Sequence, residues 1–527
     1  MLAKLKYSKI FWGAIFFLFF SILWKSSFSY LDPDFGWHLR VGQDILKNRA
    51  VPQVDGYTFT HDQNSWVDHE WLFNVIVYLG YEHFGYPLLS FSFALIILSV
   101  LYLLWKYRFN GLDSDGGWFV FVSLWGLFAI KGSMGVRMQE VGLLGLLLVM
   151  IIMDLYEKKR DYKILFWLLP IFVVWANLHF TFVIALVVIF GKILFEFLRG
   201  PALKIGFFRK NVPAEAVYSK TEVMTLALFL FLSVLATLIN PYGYRLYEFL
   251  KTFSNSYYLT RILEWLPFYF APAKLFYFIF LSLAIFISLY WVYKLIKKRN
   301  VDNWWYFSLA ILFTIMSLKS RRHLPLLFVA ATPWLVSELK REFGSTQEVF
   351  RHVINNRYAK LIILLIVFGS SVYLIKTTHF TSKPFSSYCQ MFPCEAVADL
   401  KTKINPSQTR ILNNFGWGGY MDWTWPELRL FIDGRQPQQL YGTKSLLEVW
   451  DNVFDLKQTD QKLKEHRINL ILIPKNKSVD VTWLDQLLFG LKKQEEGWSS
   501  KIIPHLMADK NWGVCHEDSL AIAFCKK

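Results

Sequence analysis

Hydrophobic runs long enough to cross a bilayer recur from Phe11 to Leu374, and they constrain this chain more than any motif does. In lipid every backbone polar group must be satisfied within the chain, so such runs become helices packed side by side. The expected spans are 10–24, 86–106, 117–131, 136–155, 163–176, 178–197, 222–239, 273–296, 303–318, 323–338 and 359–376. That makes about eleven. The chain is 54% hydrophobic, too apolar for a soluble protein of 527 residues. The first run, Ile10 to Trp24, follows Lys4, Lys6 and Lys9 as a signal peptide would. No small-x-small cleavage site follows it, so it reads as a retained anchor.

The net charge of +17 raises the question of a nucleic-acid partner, and its distribution answers against one. Basic residues gather between spans, at Glu157–Lys163, Lys204–Lys210, Lys294–Arg299 and Lys340–Lys360. This is the positive-inside pattern, which orients a membrane protein. An odd number of spans with a basic N-terminus inside places the C-terminal region outside. The same count puts the segments Leu31–Glu70, Trp175–His179, Asn240–Ala271 and Lys319–His323 on that outer face. The inner loops, the Lys106–Gly117 loop among them, are bland connectors.

The expected fold is therefore mainly α. A polytopic helical bundle over residues 1–376, with a large first outer loop at 25–85, precedes an extracytoplasmic α/β domain over 377–527. In that domain Arg429–Ile432 and Ile468–Ile473 read as buried strands, and Thr459–His466 and Val481–Leu491 as helices. All four cysteines, Cys389, Cys394, Cys515 and Cys525, lie there. In an oxidising exterior they form two disulfides, in any of three connectivities.

Unusual residues concentrate in the outer segments. Asp32 and Asp34 flank Pro33 where the first span ends, so two carboxylates can approach one site as a general base or as ligands of a divalent metal. Trp37 and His38 follow. Ser65-Trp66-Val67-Asp68-His69-Glu70-Trp71 is a second polar and aromatic knot, able to bind a metal or sugar hydroxyls, or to act as an aromatic belt. Asn177 and His179 interrupt an otherwise over-long apolar stretch, where polar groups face a cavity or close a tight hairpin. Lys319, Arg321, Arg322 and His323, with Arg137 and Arg261, sit outside against the positive-inside trend, and an anionic phosphate suits the arginine fork. The Tyr- and Phe-rich stretch from Asn240 to Pro267 reads as an amphipathic lid. Asn413–Tyr420 and Phe431–Arg435 read as loops after strands, the glycines serving tight turns and Asp433 and Arg435 serving a ligand. No nucleotide-binding loop, zinc-ligand cysteine pattern or nucleophile elbow is present.

The segments Asp32-Pro-Asp-Phe-Gly-Trp-His-Leu-Arg-Val-Gly, Pro52-Gln-Val-Asp, Trp66-Val-Asp-His-Glu-Trp, Trp175-Ala-Asn-Leu-His, Asn240-Pro-Tyr-Gly and Phe431-Ile-Asp-Gly-Arg look like a largely uncharacterised bacterial branch of the GT-C superfamily of membrane glycosyltransferases. The superfamily includes protein O-mannosyltransferases, lipid A aminoarabinose transferases and oligosaccharyltransferases. The resemblance implies a polyprenyl-phosphate-linked sugar as donor and a first-loop acid as base, which maps onto Asp34 or Asp32. Phe35-Gly36 stands where relatives often carry a further Trp. Metal dependence varies in the superfamily and does not carry over.

The expected activity is inverting transfer of a sugar to an extracytoplasmic acceptor glycan, lipid or protein, with Arg321 and Arg322 on the departing lipid phosphate. No certain cofactor follows, though a divalent metal at Asp32 and Asp34 fits. The competing expectations are a lipid-linked saccharide flippase and a non-catalytic envelope-assembly protein. The spans are nearly free of acids, which speaks against a proton-coupled path.

Overall fold

The computed structural model describes residues 2–29, 31–108, 116–202, 217–254, 256–262, 264–266, 275–297, 304–344, 356–382, 384–435, 438–475 and 498–527. The Gly111 loop, the basic run Lys204–Lys210 and the expected helix Val481–Leu491 lie outside them. The chain forms two compact units. One comprises Met1–Tyr30, Ser90–Asn240 and Glu264–Phe380; the other comprises Leu31–Leu89, Pro241–Leu263 and Thr381–Lys527.

The first unit is helical. Among the described residues, five helices of the chain are long and apolar enough to cross a membrane: Ile10–Ser29, Trp71–Tyr107, Gly116–Ser133, Met138–Lys159 and Tyr358–Lys376. The chain is that of a membrane protein. Helices also cover Leu168–Leu178, Phe182–Ala202, Lys220–Ala236, Leu275–Ile296, Trp304–Lys319 and Leu324–Phe343. Leu324–Phe343 is buried along nearly its whole length, and Trp334 packs 5.4 Å from Phe307, which stacks on Trp291. The long Trp71–Arg108 helix breaks at Gly85, whose φ of +71° suits glycine, with Pro87 just beyond. The expected span beginning at 86 starts at this break.

The second unit joins the first outer segment to the C-terminal region, which the sequence division at 376 keeps apart. Its sheet has the order β1-β4-β6-β5, from Ile411–Asn413 (β1), Leu470–Pro474 (β4), Trp512–Glu517 (β5) and Ala521–Lys526 (β6). β1 pairs parallel to β4, and β6 pairs antiparallel to both β4 and β5. A two-stranded ribbon, Leu440–Tyr441 (β2) with Lys444–Ser445 (β3), stands apart from it. The helix Thr459–Glu465 falls where the sequence places one. Leu430, Phe431 and Ile432 are buried while Arg429 is exposed, and the segment Arg429–Ile432 makes no sheet strand. Its backbone meets the first outer segment through one Thr58–Leu430 bridge, and the Asn413 side chain takes its other polar groups. The cysteines pair as Cys389–Cys394 and Cys515–Cys525, the latter across the β5–β6 hairpin.

Candidate functional site

The Asp-Pro-Asp turn opens the helix Phe35–Asn48. Asp32 is buried, and its Oδ1 accepts the Asp34 backbone N–H at 2.9 Å, closing an Asx turn. Asp34, half-buried, takes the N-cap position without a side-chain capping bond. Its carboxylate lies 1.8 Å from where a Cβ on Gly434 would fall, so glycine there lets the Asp34 side chain keep this position. A Cβ on Gly36 would likewise fall 1.9 Å from the Gly419 carbonyl oxygen. These glycines are not turn residues. They let the Phe35–Asn48 helix lie directly on the Gly418–Thr424 helix and the Asp433–Arg435 loop.

One turn into that helix, His38 is buried, and burial lowers its pKa despite nearby Glu70, Asn74 and Asp32. Its Nδ1 lies 2.6 Å from Asn74 Oδ1, and Asn74 Nδ2 donates to Asp68 Oδ2 at 2.8 Å. With the amide in this orientation His38 carries its proton on Nδ1, leaving Nε2 as a lone pair 3.7 Å from Glu70 Oε2. On its other side Glu70 Oε1 meets His69 Nε2 at 3.0 Å, and the His69 ring stacks on Phe249. Asp68 is fully buried; desolvation pushes its pKa up to about 7, although His69 and two hydrogen bonds favour the anion. Asp32, His38, Asp68, His69 and Glu70 thus share one linked cluster, and Asn74 is the member that the sequence reading missed.

A carboxylate between two imidazoles is a donor set suited to a divalent transition metal. Among these residues His69 and Glu70, whose ligand atoms lie 3.0 Å apart, fit a metal-binding role better than Asp32, whose Oδ1 holds the turn, and His38 does not group with them.

Trp37 is not placed to stack on a sugar. It is 5% exposed and packs with Val41, Ile45 and Trp66. Asp433 and Arg435 are also fully buried, in an ion network with Asp55 of the first outer segment. Arg435 pairs with Asp55 at 3.0 Å and forks onto Asp433, while Gln439 donates to both carboxylates. The Tyr57 and Trp66 rings lie 4.5 and 4.7 Å from the guanidinium. Burial would raise the Asp55 pKa, but Arg435 and the Thr58 hydroxyl hold it below the ordinary value. These two candidates close the fold and offer a ligand no surface. The expected lid forms the helix Arg245–Ser254 within the same unit; Arg245 reaches Gln53 and Tyr242 donates to the Pro52 carbonyl.

In the other unit, Asn177 Nδ2 donates to the Val173 and Ile239 carbonyls, and His179 Nδ1 accepts the Thr181 amide at the hairpin between two helices. Asn177 thus also ties the hairpin to the end of the Lys220–Ala236 helix region, and the Nδ1 of His179 serves the hairpin's backbone. Arg137 and Arg322 meet Glu264, at 2.8 and 3.7 Å. Glu264 is half-buried; desolvation would raise its pKa, yet the two arginines hold it down at about 2. Arg137 and Arg322 thus already have a protein counter-ion. Arg322 also lies over the Trp265 ring, and Arg321 donates its backbone N–H to Leu266.

No family model and no curated protein matches the chain. Solved structures do. The apo crystal structure of the Archaeoglobus fulgidus oligosaccharyltransferase superposes with a TM-score of 0.50 at 11% identity, covering 89% of this chain and 69% of that one. The oligosaccharyltransferase AglB of the same organism, in complex with an inhibitory peptide and a dolichol-phosphate, gives 0.50 at 12%, covering 87% and 69%. The chain shares the fold of these oligosaccharyltransferases.

Proposed function

We propose that this chain is an inverting membrane glycosyltransferase that moves a sugar from a polyprenyl-phosphate donor to an extracytoplasmic acceptor. One observation carries the reading: a fold shared with oligosaccharyltransferases over 89% of the chain. The solved relative that holds a dolichol-phosphate supports a lipid-linked donor. The two disulfides support a C-terminal region outside the cytoplasm, and the basic loops support a plasma or inner membrane with about eleven spans.

In this mechanism Asp34, at the helix start and half-exposed, takes the proton of an acceptor hydroxyl. The oxygen attacks the anomeric carbon from the face opposite the lipid phosphate, and the phosphate departs with the bonding pair. Arg321 and Arg322 stabilise the charge that develops on it, Glu264 holding Arg322 in place. The Asp68–Asn74–His38 chain fixes the imidazole tautomer beside Glu70. A divalent metal held by residues that include His69 and Glu70 would supply a Lewis acid for the phosphate oxygens.

The test is transfer of radiolabelled sugar from a polyprenyl-phosphate donor by the purified full chain in liposomes. Product in the lipid or acceptor fraction, absent without protein, is expected. Movement of intact donor across the bilayer with no transfer would replace this reading with a flippase.

A further inference from the structure

A cavity of about 300 Å³ lies within the second unit, on the side of the Phe35–Asn48 helix that carries Arg40 and Asp44. Its polar lining is Arg40, Asp44, Asn48, Tyr57, Asp422 and Arg429. Its apolar lining comes from the Ile45, Val51–Pro52 and Pro426–Leu428 regions. Asp34 does not line it, so it is not the acid–histidine cluster. The volume is at the small end of ligand clefts.

Asp422 sets the chemistry. It sits in the Gly418–Thr424 helix, 4% exposed, and its buried Oδ2 has no hydrogen-bond partner among the described residues. A buried polar atom left without a partner costs roughly 1–3 kcal/mol, so a ligand that pairs with it binds at an advantage. Burial, then the Asp433 carboxylate, push the Asp422 pKa well up. The shift favours the protonated form, which can both donate and accept, as a hydroxyl partner must.

The rest of the lining narrows the ligand. Both arginines are engaged, Arg40 with Asp44 at 3.0 Å and Arg429 with Asp62 at 2.6 Å, which leaves no free cation for an anion. A hydrocarbon would strand Asp422 and Asn48. A divalent cation would find one carboxylate already ion-paired and one whose pKa burial raises. What remains is a neutral ring with hydroxyls on its edge and C–H groups on its faces.

We propose that this cavity is a saccharide subsite, in which Asp422 hydrogen-bonds a ring hydroxyl and the Pro52 and Leu428 side takes the apolar face of the ring. The choice of a sugar over other neutral polyols rests on the function proposed above; the cavity and its unpartnered acid do not.

The test is saturation-transfer NMR on the full chain in detergent, with glucose, galactose, mannose and N-acetylglucosamine offered singly. At least one should receive saturation at its ring protons, and Asp422→Ala should weaken it by about tenfold. Val54→Trp, which crowds the cavity from an exposed position, should abolish it without touching the core. Asp34→Asn should leave it intact, so a failure of the transferase reading and a failure of this one can be told apart. A polyprenyl-phosphate sugar that displaces the free sugar would mark the donor's ring as the occupant; a free sugar that stays bound would mark the acceptor's. Absence of saturation for all four sugars, equal saturation in Val54→Trp, or binding of Mn²⁺ in place of every sugar would overturn the proposal.

Discussion

Two buried polar clusters in the second unit use similar residues to opposite ends. The Asp55–Arg435–Asp433 lock is closed. One guanidinium faces two carboxylates, Gln439 donates to both, and Tyr57 and Trp66 flank the cation. The Asp32–His38–Asp68–His69–Glu70 cluster is open. Its acids face imidazoles rather than a permanent cation, and one acid titrates near neutrality. A shared cation ties two distant segments together and leaves them no surface for a ligand. Incomplete compensation leaves groups whose protonation can change, which is what proton transfer requires.

The largest effect should come from breaking the lock. Arg435→Ala leaves Asp55 and Asp433 buried without their cation, which costs about 3–5 kcal/mol. Thermal unfolding of the detergent-purified protein should show a large fall in Tm or loss of the folded peak. A Tm within a degree or two of wild type would mean the network is incidental.

Asp68 should give a smaller effect with a pH signature. Its folded pKa, about 7, lies above its unfolded value, so the folded state holds the proton more tightly. That stabilisation is complete below about pH 4 and is lost as pH rises through about 7. It amounts to at most about 4 kcal/mol. Wild type should therefore lose stability between about pH 4 and pH 7, and Asp68→Asn should flatten that slope. Parallel pH profiles for the two proteins would remove Asp68 from the account.

Gly434→Ala should act more locally. Its Cβ would collide with the Asp34 carboxylate, a side-chain end that can swing aside. Stability should change by about 1–3 kcal/mol, while transfer falls by about a factor of ten or more through displacement of the acid. Unchanged transfer would separate Asp34 from the chemistry.

The sequence made the helical spans, the Thr459–Glu465 helix and the first-segment acids legible, because hydropathy and local polarity are one-dimensional signals. It hid what depends on distant pairing. Asn74 is a lone amide one turn beyond Glu70 in an apolar helix, and its bonds to Asp68 and His38 need the fold to be seen. Asp55, Asp433 and Arg435 lie nearly four hundred residues apart at the extremes, so an ion lock looked like a ligand loop. The glycines at 418 and 419 read as turns because a close helix-on-helix approach leaves the same mark in sequence. Arg429–Ile432 has the composition of a strand, but its polar groups are taken by Asn413 and the first outer segment.

The most direct test of the central claim, that the open cluster beside Asp34 carries the chemistry, is the single-turnover rate of sugar transfer by Asp34→Asn and Asp32→Asn, alone and combined, with Tm measured on the same samples. Asp34→Asn should lose about 100- to 10,000-fold in rate with its Tm kept. Full activity in both single variants and in the double variant would contradict it.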